Sequence, residues 1–198
     1  MDVQAPAAGE VVLDVPALRA RFREGKAALI AHFSASRPTA PAASRLVRAL
    51  ARHVDDTLLT LWQQIGMPAD AALIAVGGYG RAELFPHSDV DVLVLLPPGI
   101  PAPTGTAKAT IEQFITACWD IGLDIGSAVR NVDECIAEGQ RDVTVQTALL
   151  ESRYLCGSRR VFNTFRHANT QAMDPKAFLR AKTLEMHQRH TKYEDTPY

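Results

Sequence analysis

Cysteine is scarce in this chain: Cys118, Cys135 and Cys156 are the only three in 198 residues. They are too few and too scattered for a disulfide framework or a zinc ligand set, so three buried small hydrophobes in a reducing compartment are expected. No apolar run reaches the roughly 18 residues of a membrane-spanning helix, which excludes a transmembrane segment and a membrane partner from the reading. Met1 to Pro6 has no positive stretch leading into an apolar one, so no secretory signal is read and a cytoplasmic location is expected. Neither sign of charge prevails: 21 Lys and Arg stand against 22 Asp and Glu. That balance excludes the broad cationic footprint of a general nucleic-acid binder. No internal repeat is visible.

What is present suits one domain, or one with an appended helical piece. Hydrophobic residues make up 47% of the chain, enough for a sizeable core. Leu18, Phe22, Leu29, Ile30 and Phe33 recur at helical spacing from Pro16 to Phe33, and Pro38 and Pro41 interrupt the pattern. A second helix is expected from about Ala43 to Ile65, striped by Leu46, Leu50, Val54, Leu58 and Leu61 and stopped by Gly66 and Pro68. Ala71–Val76 and Val90–Leu96 are short apolar runs of the kind buried strands show. Pro97 to Gly105 reads as an exposed loop, followed by a helix over Thr106–Ile121 and a third strand over Leu123–Arg130. Asn131 with Glu134 resembles a capping arrangement, a further helix spans Val143 to about Glu151, and Asp174-Pro175 opens a last helix running to about Tyr193. The expected fold is therefore α/β, of the α+β kind. A helical N-terminal arm (1–66) precedes a small mixed β-sheet core flanked by helices (67–140), and a C-terminal helical segment follows (141–198).

The chemistry concentrates in one stretch, VGGYGRAELFPHSDVDV, from Val76 to Val92. On a strand, alternate side chains share a face, so Asp89 and Asp91 project to one side and Val90 and Val92 to the other. Two ionised carboxylates that close repel one another, which is a reason to expect bound cations. Carboxylates a strand step apart can serve a pair of divalent ions about 3.5–4 Å apart, and oxygen-only ligands favour Mg²⁺ or Mn²⁺ over zinc. Gly77, Gly78 and Gly80 allow close backbone approach, so the amides of Gly77 and Gly78 can cradle phosphate oxygens. Arg81 adds a positive charge for a triphosphate and Ser88 a hydroxyl donor. A strand, a glycine turn, a basic residue and an acidic pair on the adjoining strand describe a nucleotidyl-transfer site. Tyr79 either stacks on a base or packs beside the turn. His87 lies in the connecting turn and reads as structural or surface. His187 and His190 read as a solvated helix face, since no acidic partner stands at matching spacing.

These residues resemble the motif of the DNA polymerase β-type nucleotidyltransferase superfamily: a hydrophobic residue, Gly-Gly, a gap of roughly ten residues, here Tyr79 to Ser88, then acid-hydrophobic-acid. More closely, GGYGRAELFPHSDVDVLVLL, WDIGLDIGSAVRNVDECIAEGQRDVTVQTALLESRYLCG and FLRAKTLEMHQRHTKYEDTPY resemble the N-terminal catalytic domain of the bifunctional uridylyltransferase/uridylyl-removing enzymes of bacterial nitrogen signalling. The resemblance covers about Ala71 to Tyr198. It implies Mg²⁺- or Mn²⁺-dependent transfer of UMP from UTP to a tyrosine of the PII signal protein, with release of pyrophosphate. It also implies Asp124 as a third metal-binding and catalytic carboxylate beside Asp89 and Asp91. Arg130, on the same face as Asp124, is either a further phosphate contact or a surface cation.

By the same resemblance, uridylyl removal belongs to a downstream HD phosphohydrolase domain and glutamine sensing to ACT domains. Neither lies in these residues, so an excised catalytic fragment is expected. The sequence departs from the family at Ala82, where a glycine is usual, and at Ser127-Ala128, where Gly-His-Ser would run on. Another nucleotidyl transfer such as adenylylation, or a nucleotide-binding module inactive as a fragment, remains the alternative reading.

Overall fold

The computed structural model describes residues 13–100 and 103–192. Helix α1 (Val15–Ser34) starts where the Asp14 carboxylate accepts a hydrogen bond from the Ala17 amide at 2.9 Å. Helix α2 (Ala40–Ile65) begins at Ala40 rather than Ala43, because Thr39 caps it and Pro41 falls in the first turn, where its missing N–H is no loss. Gly66, in the left-handed region at φ +72°, ends it. The two helices meet closely where Gly25 faces the His53 ring with no room for a Cβ. The same ring stacks on Phe22, with centroids 5.4 Å apart and planes 3° from parallel.

Four strands form one mixed sheet in the order β3-β2-β1-β4: β1 (Ala72–Ala75), β2 (Val90–Leu96), β3 (Ile125–Asn131) and β4 (Arg153–Gly157). The short α3 (Gly77–Gly80) follows β1 directly. β1 runs antiparallel to both β2 and β4, whereas β2 and β3 are parallel, as the crossover through α4 (Gly105–Asp120) requires. Helices α5 (Val132–Arg141), α6 (Val143–Leu150), α7 (Arg159–Ala172) and α8 (Pro175–Lys192) complete the chain.

Both faces of the sheet are covered, which is why β2 reads as a nearly unbroken apolar run. Val90, Val92 and Val94 pack against Leu58, Leu61, Trp62 and Phe114 of α2 and α4. Ile74, Leu93 and Leu95 pack on the other side against Cys135, Leu149, Phe162 and Phe165 of α5, α6 and α7. Each such fully buried side chain contributes about 1.5–3 kcal/mol relative to exposure.

The expected helix N-terminus at Asn131 is a full capping box: Asn131 Oδ1 accepts from the Glu134 amide at 2.8 Å, and Glu134 Oε2 accepts from the Asn131 amide at 2.9 Å. Asp174 caps α8 by accepting from the amides of Lys176 and Ala177. Two elements depart from the sequence reading. The stretch after α6 is not helical throughout: Arg153–Gly157 turns back to become the edge strand β4, and α7 follows as a separate helix. The α7 stripe Val161, Phe162, Phe165 was there to be read, with Ser158 as its cap. A five-residue strand beside a helix carries no comparable signal.

Cys118 and Cys135 are buried and Cys156 is half-buried; burial pushes all three thiols up to about 12. On α8, His187 and His190 are exposed. Among the described residues no helix is long and apolar enough to cross a membrane.

Candidate active site

Asp91 is the single exposed residue of β2, on a strand whose other six are buried. The strand alternation that buries Val90 and Val92 against α2 turns Asp91 the opposite way, and Asp89 with it. Two backbone approaches frame the Asp91 carboxylate. A Cβ on Gly77, which sits at φ +57°, would lie 3.4 Å from Asp91 Oδ2. On the neighbouring strand, Gly126 is its register partner, and a Cβ there would overlap Asp91 Oδ1. The Val76 amide also donates to the Asp91 carbonyl at 3.0 Å, which ties the glycine turn to the acidic strand. Burial, and then the charge of Asp89, hold the Asp91 carboxyl above the usual carboxylate range.

That electrostatic cost fits a divalent cation. Two oxygen-donor side chains with mutual repulsion are groups of the kind that bind hard divalent cations. Asp124 stands one step before β3, next to Asp89 in the parallel register, and its carbonyl accepts from the Val90 amide at 2.8 Å. Its side chain is exposed. Among the described residues, no group of three or more His, Cys, Asp or Glu is gathered to hold a metal ion. The structure therefore brings Asp89 and Asp91 together and leaves Asp124 as their neighbour across the strand gap.

Gly78, Arg81, Ser88, Asp89 and Asp91 line one depression of about 380 Å³. The loop Leu84–Ser88 separates it from a second cleft of about 300 Å³, walled by Phe22, Lys26 and His53 and reached by Asp124. His87 is exposed on that loop. Arg81 is half-exposed and its Nη1 donates to Glu151 Oε2 at 2.6 Å. Arg130 is not brought to the site. It lies opposite Leu95, beside Cys135 of α5, six residues along β3 from Asp124 and thus about 20 Å away in an extended strand.

Tyr79 packs beside the turn, at the wall of the depression lined by Gly78, Arg81 and Asp91. Its ring is buried and its hydroxyl donates to Asp55 Oδ1 on α2. Burial, and then Asp55, push the phenol well above its ordinary pKa. Arg153, at the start of β4, donates to Asp55 Oδ2 at 2.8 Å and to Asp55 Oδ1 at 3.1 Å, and reaches the Tyr79 carbonyl at 3.3 Å. Its guanidinium also lies over the Tyr79 ring, 5.2 Å from the centroid. Gly80 completes the packing, since a Cβ there would collide with the Glu151 carbonyl.

Sequence reasoning did not single out Gly126, Asp55, Arg153 or Glu151. A glycine inside a strand is a sign of close approach, and that sign was available for Gly126. Asp55 and Arg153 lie 98 residues apart, and nothing local announces their pairing.

Residues 54–138, the stretch that holds the glycine turn and the acidic pair, match the nucleotidyltransferase domain family. Enzymes of this class generally use divalent metal ions. More particularly, 185 residues, 92% of the chain, are 51% identical to the bifunctional uridylyltransferase/uridylyl-removing enzymes of Burkholderia mallei (strain SAVP1) and Burkholderia pseudomallei (strain 668). The aligned part is 21% of each of those proteins, so the chain spans about a fifth of the length of the curated relatives it matches. A solved toxin–antitoxin structure with AMP-PNP covers 69% of this chain and 98% of its own, at 14% identity and a TM-score of 0.38.

Proposed function

We propose that this chain carries out metal-dependent transfer of UMP from UTP to a tyrosine of the PII signal protein, in the cytoplasm, with release of pyrophosphate. The observation that carries the reading is the Asp89–Asp91 pair against the Gly77–Arg81 turn, in a chain 51% identical to enzymes named for uridylyl transfer. Asp89 and Asp91 would hold Mg²⁺ or Mn²⁺, with Asp124 the nearest further carboxylate. A divalent ion bound there offsets phosphate charge and lowers the pKa of the incoming tyrosine hydroxyl.

Arg81 and the Ser88 hydroxyl pair with the β- and γ-phosphates and offset the charge that grows as pyrophosphate leaves. The Gly77 and Gly78 amides add donors on the same side. The tyrosine oxygen attacks the α-phosphorus, the bond to the pyrophosphate oxygen breaks, and Asp124 takes the phenol proton.

Thermal unfolding with Mg²⁺ and each of UTP, ATP, CTP and GTP tests the reading. A ligand at 100 times its Kd adds about 2.7 kcal/mol of stability. At about 2–4 °C per kcal/mol, the shift is readily measured. UTP is expected to stabilise the protein, only with the metal, and not in Asp89→Ala or Asp91→Ala. A shift with ATP alone would point instead to adenylyl transfer, and no shift with any nucleotide would overturn the site.

A further inference from the structure

We propose that Asp55, Tyr79 and Arg153 form a partly buried clamp that positions the Gly77–Arg81 turn for nucleotide, so that the working site extends through β4. This rests on the nucleotide reading above. The matched domain stops at residue 138, yet Arg153 lies beyond it and makes four distinct contacts with the turn's anchor. It donates to both Asp55 carboxylate oxygens and to the Tyr79 carbonyl, and lies over the Tyr79 ring.

The chemistry argues for placement rather than stability. A phenol, a carboxylate and a guanidinium taken out of water cost desolvation that their pairing only roughly returns, and a hydrophobic replacement of similar shape is often as stable. What the polar trio adds is direction. Tyr79 sits between Gly78 and Gly80 in a turn of glycines that have no side chains to hold their own place. Tied through Asp55 to α2 and through Arg153 to β4, Tyr79 holds the turn from two sides. The third tie, the Val76 amide to the Asp91 carbonyl, sets the turn against the acidic pair. Arg81 leaves the same turn and lines the depression with Asp89 and Asp91. A guanidinium fork reads a carboxylate bidentately, which an ammonium cannot do.

The test is the affinity of UTP in Mg²⁺, measured by calorimetry well below the melting temperature, for the wild type, Tyr79→Phe, Arg153→Lys and Arg153→Ala. Tyr79→Phe keeps the ring and leaves Asp55 paired with Arg153. We expect it to raise Kd about tenfold, equal to about 1.4 kcal/mol of binding, while the melting temperature moves by a few degrees or less. Arg153→Lys should not rescue the loss seen in Arg153→Ala. Variants that melt lower but bind UTP as the wild type does would overturn the clamp, as would full affinity in Arg153→Lys. A wild type that binds no nucleotide in Mg²⁺ would instead overturn the site reading, and the clamp with it. Should Tyr79→Phe fail to fold, Arg153→Lys carries the same test from a side chain that is 27% exposed.

Discussion

Asp91 lies across Gly126. The two residues are register partners on parallel strands, and a Cβ on Gly126 would overlap Asp91 Oδ1 and stand 3.6 Å from its Cγ. The absence of a side chain at 126 is thus a condition for the orientation of a carboxylate on another strand. Gly126→Ala should leave a folded protein, since position 126 is exposed and its backbone is ordinary for a strand. It should weaken metal-dependent UTP binding by at least about tenfold, or about 1.4 kcal/mol. Calorimetric titration decides this, and unchanged affinity would show that Asp91 has room to move.

The Asp89–Asp91 pair is held together at an electrostatic cost. Asp91→Asn is therefore expected to raise stability slightly at neutral pH, by at most about 0.5 kcal/mol because the pair is open to water. It should also abolish stabilisation by Mg²⁺ with UTP. The raised Asp91 pKa means that the native state holds this proton more tightly than the unfolded chain. The contribution of Asp91 thus favours folding at low pH and is lost as pH rises through its native pKa. Metal binding displaces the proton, so Mg²⁺ affinity should fall on acidification through the same range. Thermal melts across pH, with and without Mg²⁺, read both effects.

Ala82 occupies the left-handed region at φ +59°, a non-glycine residue where the resemblance expects glycine. The left-handed conformation costs an L-residue roughly 1–2 kcal/mol. Glycine loses roughly 0.5–1 kcal/mol more than alanine to chain entropy on folding. Ala82→Gly should therefore stabilise the protein by about 0.5–1 kcal/mol, or about 1–4 °C in melting temperature. A lower melting temperature would mean that the Ala82 methyl makes packing contacts worth more than the strain.

Arg81 is engaged by Glu151, a carboxylate that would compete with the phosphates the proposed function assigns to Arg81. The pair is partly exposed and contributes at most about 0.5 kcal/mol to stability. Glu151→Gln should leave the melting temperature nearly unchanged and tighten UTP binding about two- to fivefold, since the competing carboxylate is gone. Arg81→Ala should weaken binding. Weaker binding in Glu151→Gln would show that Glu151 orients Arg81 instead of competing with the nucleotide.

The three thiols, raised to about 12 by burial, hold almost no thiolate at pH 8. In the native protein Cys118 and Cys135 should resist alkylation that all three accept in denaturant. Mass spectrometry after a timed iodoacetamide pulse checks it. Rapid native modification of Cys118 would contradict its burial.

The sequence by itself determined what local physics can determine. Periodicity placed α1, α2 and α4; the short apolar runs placed β1 and β2; the Asn131 capping box and the Asp174 cap were legible because caps are contacts between near neighbours in the chain. The acidic pair and the glycine turn were legible for the same reason, since strand alternation puts Asp89 and Asp91 on one face without reference to the rest of the molecule. Tertiary structure alone decided what depends on distant segments meeting. The edge strand β4 exists because β1 offers it a partner, not because RYLCG has a periodicity of its own. Tyr79 turned inward because Asp55, 24 residues before it, and Arg153, 74 residues after it, converge on it. Arg130 was carried away from the acidic pair by the length of β3, a separation that sequence alternation alone does not measure.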